Sequence, residues 1–150
     1  MGGRLGNYED SPVELNDFYL IEDLTTADRA ERLERIQSFA AEAADRLRHV
    51  VRSALETHTH LLILTHIPPF KGAAWHEGEP SNHDWLPVFS CEAVRDVLTE
   101  VAGEHPSANL TVLCGHTHGE GVREVLPNLT VVTGGAVYGQ PAIVDLIDIA

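Results

Sequence analysis

The chain has 150 residues, 43% of them hydrophobic and 22% charged, the balance of a globular domain with one real core. Twenty-three acidic residues against ten basic ones leave a net charge of −13, which argues against a nucleic-acid surface, since phosphate contacts need clustered lysine and arginine. No apolar run approaches the roughly 18 residues of a membrane span, and the opening Met1-Gly2-Gly3-Arg4-Leu5-Gly6 lacks the apolar core of a signal peptide, so the expected location is the cytoplasm. Cys91 and Cys114 are the two cysteines; in a reducing compartment they are expected as buried thiols, not as a disulfide.

Residues 1–16 are polar, glycine-containing and irregular, and read as a loop of a longer chain or an extension that packs on something. Asp17 to Glu22 reads as a short strand. From about Ala27 to Glu56 the pattern is helical: Leu33, Ile36, Ala40, Ala43, Leu47, Val50 and Ala54 fall on one stripe. Thr25 or Thr26 is the expected cap, and Asp28 suits the first turn through the helix dipole. The spacing fits a dimer seam as well as a sheet-covering helix. Three of the seven stripe positions are alanine, which favours close packing on a sheet.

Leu61-Leu62-Ile63-Leu64-Thr65-His66 reads as a buried strand that delivers a histidine at its end, where Pro68 and Pro69 break the chain. A strand rises about 3.3 Å per residue, so His58 and His60, which precede this strand, belong at the opposite sheet edge from His66. The segment Phe70 to Ser90 reads as a long loop. It holds both tryptophans, Trp75 and Trp85, together with His76 and His83. Loops of this length are usually functional, and this one starts beside His66. Its tryptophans either wall a substrate pocket or anchor the loop. His76 and His83 are candidates for hydrogen bonds to a bound phosphate.

Cys91 to Ala102 reads as a helix with Ser90 as cap, Val94, Val97, Leu98 and Val101 on its apolar face, and Gly103 just past its end. The run Leu110-Thr111-Val112-Leu113-Cys114 is a second buried strand, ending in Gly115-His116-Thr117-His118-Gly119. Gly115 is expected to permit a sharp turn or a close approach. The order strand, loop, helix, strand from Leu61 to Cys114 makes neighbouring strands parallel. His66, His116 and His118 then share one rim and are candidate metal ligands. Leu129 to Thr133 reads as a further strand, whose followers Gly134, Gly135 and Tyr138 are expected to line the same pocket. Ile143 to Ile149 reads as a final strand.

A strand ending in Thr65-His66-Ile67-Pro68-Pro69, followed about fifty residues later by one ending in Gly115-His116-Thr117-His118, resembles the calcineurin-like metallophosphoesterases. The family's other metal motifs, of the forms D-x-H, G-D-x-x-D and G-N-H-D or G-N-H-E, do not occur in these residues. The sequence therefore resembles the C-terminal half of such a domain. The resemblance implies an α/β fold, part of a layered β-sandwich flanked by helices. It implies two divalent ions, manganese, iron or zinc, with His66 and His116 on one and His118 on the other. The expected activity is hydrolysis of a phosphate mono- or diester, and these residues alone are expected to be inactive because the resemblance places the bridging carboxylates in the motifs that do not occur here. No catalytic acid is identifiable and the substrate is unspecified. The other class of function consistent with the residues is a non-catalytic metal-binding or oligomerisation protein of the same fold. The expected partners are a phosphorylated small molecule, a second copy, or a missing N-terminal half.

Overall fold

The computed structural model describes residues 1–26 and 28–148. Its first element, α1 (Asp17–Leu20), is a single helical turn that runs into a 3-10 turn at Glu22–Leu24. This corrects the expected strand at Asp17–Glu22. Phe18 is buried while Tyr19, Leu20 and Ile21 are exposed, so the alternation a half-buried strand needs is absent.

Helix α2 (Arg29–Leu55) forms where the stripe predicts it, although Ala27, its expected start, lies outside the described residues. The cap is Asp28, whose side chain accepts from the Glu31 N–H at 3.0 Å, not Thr25 or Thr26. The buried seam also differs in its second half: Ala44 and Val51 are buried, whereas Ala43 and Val50 are exposed. A strict 3-4 alternation has a period of 3.5, and a straight helix drifts from it by about 20° per heptad.

Strand β1 (His60–Leu64) follows, then a 3-10 turn at Lys71–Ala73, the short antiparallel pair β2 (Trp75–His76) and β3 (Glu79–Pro80), and the one-turn helix α3 (Leu86–Phe89). The expected open loop between Phe70 and Ser90 is thus locally structured. Glu77 and Gly78, both at positive φ (52° and 85°), close the β2–β3 hairpin, as its tight turn requires.

Helix α4 (Glu92–Glu104) buries Val94, Val97, Leu98 and Val101 as expected, but Ser90 does not cap it. The Ser90 hydroxyl donates instead to the Leu86 carbonyl. Gly103 lies inside the helix, and the Asn128 side-chain amide donates to the Ala102 and His105 carbonyls at its end.

Strands β4 (Asn109–Cys114), β5 (Gly121–Leu126) and β6 (Leu129–Thr133) complete a mixed four-stranded sheet in the order β1-β4-β6-β5. β1, β4 and β6 are parallel; β5 runs antiparallel to β6 at the edge. The sequence pattern missed β5, whose centre is Arg123-Glu124. Charges of that kind suit an exposed edge and erase the apolar signal.

Ile63, Leu110, Val112, Cys114, Leu129 and Val131 point to one face and form a core with Ala40, Ala44, Val51 and the apolar face of α4. α2 and α4 pack on each other and on this face, the sheet-covering role chosen for α2. The opposite face is open: Leu64 is 77% exposed and Val122 61%. Residues 143–148, expected as a strand, form none; Ile143 and Leu146 are 81% and 84% exposed. Ile143, Val144 and Ile147 line an apolar groove with Leu113, Val122 and Val132 without pairing to a strand. Ile149 lies outside the described residues.

A second core gathers Tyr8, Val13, Phe18, Leu24, Ile36, Ala74, Leu86, Val88 and Phe89. Residues 1–16 carry no helix or strand but are held to α3 and α2. The Gly3 N–H donates to the Pro87 carbonyl, and Arg29 donates to the Tyr8 and Ser11 carbonyls. Cys91 and Cys114 are both free and buried. No helix among the described residues is long and apolar enough to cross a membrane.

Candidate functional site

The parallel ladder continues past the strand ends, and this juxtaposes the motifs. The Thr65 N–H donates to the Leu113 carbonyl and the Gly115 N–H to the His66 carbonyl, each at 3.0 Å. The chain after β6 is tied in the same way, with the Gly134 N–H on the Cys114 carbonyl and the Ala136 N–H on the His118 carbonyl. His66, His116, His118 and Tyr138 therefore reach one cavity of about 580 Å³. His58 and His60 do not. His60 begins β1 at the other end, where its Nε2 lies 3.1 Å from the Asn109 amide nitrogen.

The backbone of the Gly115–Gly119 loop is strained at its two histidines. His116 has φ 68° and His118 φ 62°, a conformation that costs a residue with a Cβ. The Thr117 N–H donates to the Gly115 carbonyl at 2.8 Å across His116, the hydrogen bond of a γ-turn of the strained hand. Such strain, on the order of 1–3 kcal/mol per residue, clusters at functional sites. Gly115 itself needs no special freedom: a Cβ there would touch nothing within 4 Å. Close approach occurs instead at Gly119 and Gly121, where a Cβ would lie 2.4 Å from the Trp75 carbonyl oxygen and 2.2 Å from Cε2 of its ring.

His116 Nδ1 lies 3.1 Å from His66 Nε2, and His116 Nε2 lies 3.1 Å from the Val88 carbonyl oxygen. A carbonyl only accepts, so Nε2 carries the proton there. Burial pushes the His116 pKa down to about 4, so the ring is neutral at neutral pH. Its Nδ1 lone pair therefore faces His66, which donates from Nε2. Two imidazole ligands on one tetrahedral zinc ion stand about 3.3 Å apart, given zinc–nitrogen bonds of about 2.0–2.1 Å. The observed pair is close to that separation, and the Val88 carbonyl is the kind of outer partner that fixes a ligand tautomer. As they stand the two nitrogens are joined by that hydrogen bond, and His66 would have to give up its Nε2 proton, with both lone pairs turned to a common point, before the pair could hold an ion. The His118 ring packs edge-on against Tyr138, with centroids 4.2 Å apart. Among the described residues, no three histidine, cysteine, aspartate or glutamate side chains gather as they would around a single ion.

The remaining expected residues divide. Trp85 and His76 line the cavity; Trp75 and His83 do not. Trp75 seats on Gly119 and Gly121 as an anchor. His83 is exposed, and its backbone carbonyl accepts from the Asn7 N–H. His76 Nδ1 donates to the Thr117 carbonyl at 3.2 Å, a contact that supports the histidine loop from behind. Of the three residues after β6, Tyr138 lines the cavity, while Gly134 lines the apolar groove and Gly135 an adjoining cavity that His118 shares.

Glu14 and Asp17, from the irregular segment and the first turn of α1, line the histidine cavity as well. Asp17 acts through space to raise the basicity of His116, although burial outweighs it. Neither carboxylate belongs to a motif, and only the packing of the N-terminal segment onto α3 brings them here. No family model, curated protein or solved structure matches this chain.

Proposed function

We propose that the chain contributes the histidine side of a metal-dependent phosphoesterase centre. The fold this implies is one part of a metallophosphoesterase-type β-sandwich, the open sheet face being the side that another layer would cover. The observation that carries the reading is the His66–His116 pair. Two ring nitrogens meet at 3.1 Å, one tautomer is fixed by the Val88 carbonyl, and His118 stands on the same cavity in a strained loop. His66 and His116 would hold one divalent ion and His118 a second. Manganese, iron and zinc all accept imidazole. When bound, such ions acidify a water molecule and hold phosphate oxygens. The chain's part is to present the lone pairs, to keep His116 neutral by burial, and to surround the ester with Trp85, Phe89 and Tyr138. Glu14 and Asp17 line the cavity, but among the described residues no carboxylate gathers with two of the histidines as a bridging ligand would, so efficient turnover would require further groups at this rim.

The test is metal binding, with hydrolysis as the second readout. Calorimetric titration with zinc and manganese should give binding that His66→Ala and His116→Ala each reduce by at least about tenfold, the loss expected for removing one of few ligands. Turnover of p-nitrophenyl phosphate by the chain alone should stay negligible. Equal metal affinity in wild type and His116→Ala would refute the reading. The open apolar sheet face favours a second reading, a non-catalytic metal-binding protein that self-associates through that face. Under that reading metal binds, and hydrolysis stays absent when a polypeptide carrying the missing motifs is added.

A further inference from the structure

The histidine cavity is larger than a phosphate needs. Its volume of about 580 Å³ falls in the range of pockets that enclose organic ligands, roughly 300–1,000 Å³. The chemistry of its walls is uneven. On one side the aromatic rings form an unbroken series: Phe89 meets His116 edge-on at 5.4 Å, Trp85 stacks on Phe89 at 4.7 Å, and His76 leans on Trp85 at 5.1 Å. Tyr138 contributes to the same cavity but is 86% exposed, with its ring edge-on to His118. It belongs to neither core cluster, and its ring contact is with His118. The remaining wall includes Glu14 and Asp17, which repel an anionic substituent but not a neutral ring.

We infer that the site takes phosphoesters whose leaving group carries a planar aromatic ring, and that Trp85 and Tyr138 set this preference. The inference rests on the metallophosphoesterase reading above and adds the substrate class to it. The phosphoryl group sits at His66, His116 and His118. The ring lies along the wall that runs from Phe89 to Trp85, and Tyr138 covers its other side. Offset or edge-on stacking of this kind contributes beyond simple area burial. Two sources share the chemistry, a simple aryl ester and a nucleotide, and they differ in how far the ring stands from phosphorus.

The experiment is calorimetry on the zinc-loaded full chain with four non-hydrolysed ligands: methylphosphonate, phenylphosphonate, ribose 5-phosphate and adenosine 5′-monophosphate. At least one ring-bearing ligand should bind about 3- to 10-fold tighter than its ring-free counterpart, the gain expected of one stacked aromatic pair. Gain for phenylphosphonate alone identifies an aryl ester, and gain for the nucleotide alone a nucleobase. Tyr138→Ala, at an exposed position that leaves the fold intact, should remove most of the gain. Trp85→Phe should keep part of it and Trp85→Leu lose it, with zinc affinity unchanged in all three. Equal affinity for ring-bearing and ring-free ligands overturns the inference while leaving the metal site standing, and so does a gain that survives both Tyr138→Ala and Trp85→Leu. Failure of all four ligands to bind zinc-loaded protein removes the phosphoesterase reading, and the aromatic preference falls with it.

Discussion

Substituting Gly121 by alanine tests whether the histidine loop depends on Trp75 as its support. A Cβ at Gly121 would stand 2.2 Å from Trp75 Cε2, 2.3 Å from its Nε1 and 2.6 Å from its Cδ2. Carbon atoms in contact sit about 3.5–4.0 Å apart, so the indole must retreat by more than about 1 Å. Retreat is constrained because the Trp75 carbonyl accepts from the Gly119 N–H at 3.2 Å, and β2 pairs Trp75 with Pro80. Overpacking of this kind costs about 1–3 kcal/mol. For a chain of this size that lowers the melting temperature by about 2–12 °C, at roughly 2–4 °C per kcal/mol. The disturbance also reaches the site, because His76 follows Trp75 and donates to the Thr117 carbonyl between His116 and His118. Metal affinity should therefore fall along with stability. Gly103 supplies the control: a Cβ there meets nothing within 4 Å, and the residue lies inside α4. Gly103→Ala should stabilise by about 0.5–1 kcal/mol through helix propensity alone. Thermal and urea denaturation of both variants, with zinc titration of each, gives the answer. A Gly121→Ala protein as stable as wild type, or one that is destabilised with unaltered zinc affinity, refutes the link between the indole seat and the rim.

Three further outcomes follow from other parts of the molecule. Arg32 is buried, donates to the Leu24 and Thr26 carbonyls and lies 4.6 Å over the Phe18 ring, so Arg32→Ala should cost about 2–4 kcal/mol in urea denaturation by leaving those carbonyls and a cavity behind. The Glu31 carboxyl is held below its ordinary range by the Thr26 hydroxyl and then by Arg35, so Thr26→Val should move its NMR titration midpoint upward. The sign for stability follows from the depressed native value: this interaction contributes fully above the unfolded carboxyl pKa and is lost as pH falls through the native one. Alanine at His58 or His60 should leave zinc binding unchanged by elemental analysis, since His58 lies in the turn after α2 and His60 at the start of β1, both away from the cavity.

The legible part of the fold was the part written in periodicity. Ala40 and Leu47 of the α2 stripe, the apolar face of α4 and the runs that became β1, β4 and β6 bury side chains against one another, so there the pattern and the contact are the same fact. β5 was invisible because its pairing is with β6 and the side chains of its centre, Val122, Arg123 and Glu124, face water, leaving only Val125 and Leu126 against the core. The strand expected over 143–149 failed for the complementary reason. Alternation marks a segment able to pair, and residues 143–148 pair with no strand among the described residues.

The candidate site divides along the same line. His66 and His116 were readable because parallel register carries their strands to one end, and the ladder holds them there with two 3.0 Å hydrogen bonds. The cavity's outer wall was not readable, because it is made by tertiary packing of a segment with no period of its own. Glu14 and Asp17 reach the histidines only because residues 8–24 fold onto α2 and α3, fastened by the guanidinium groups of Arg29 and Arg32. Those arginines sit on α2 as buried or half-buried charges, where an amphipathic reading assigns a solvated face. Arg32 in particular occupies the position one turn before Ile36 on the buried seam. A charged residue on an otherwise apolar seam is costly unless it is satisfied, and here the satisfaction comes from backbone carbonyls of the N-terminal segment. Loosening that latch should therefore act at two places, on the second core and on the acidic wall of the histidine cavity, although Arg32 itself does not line that cavity.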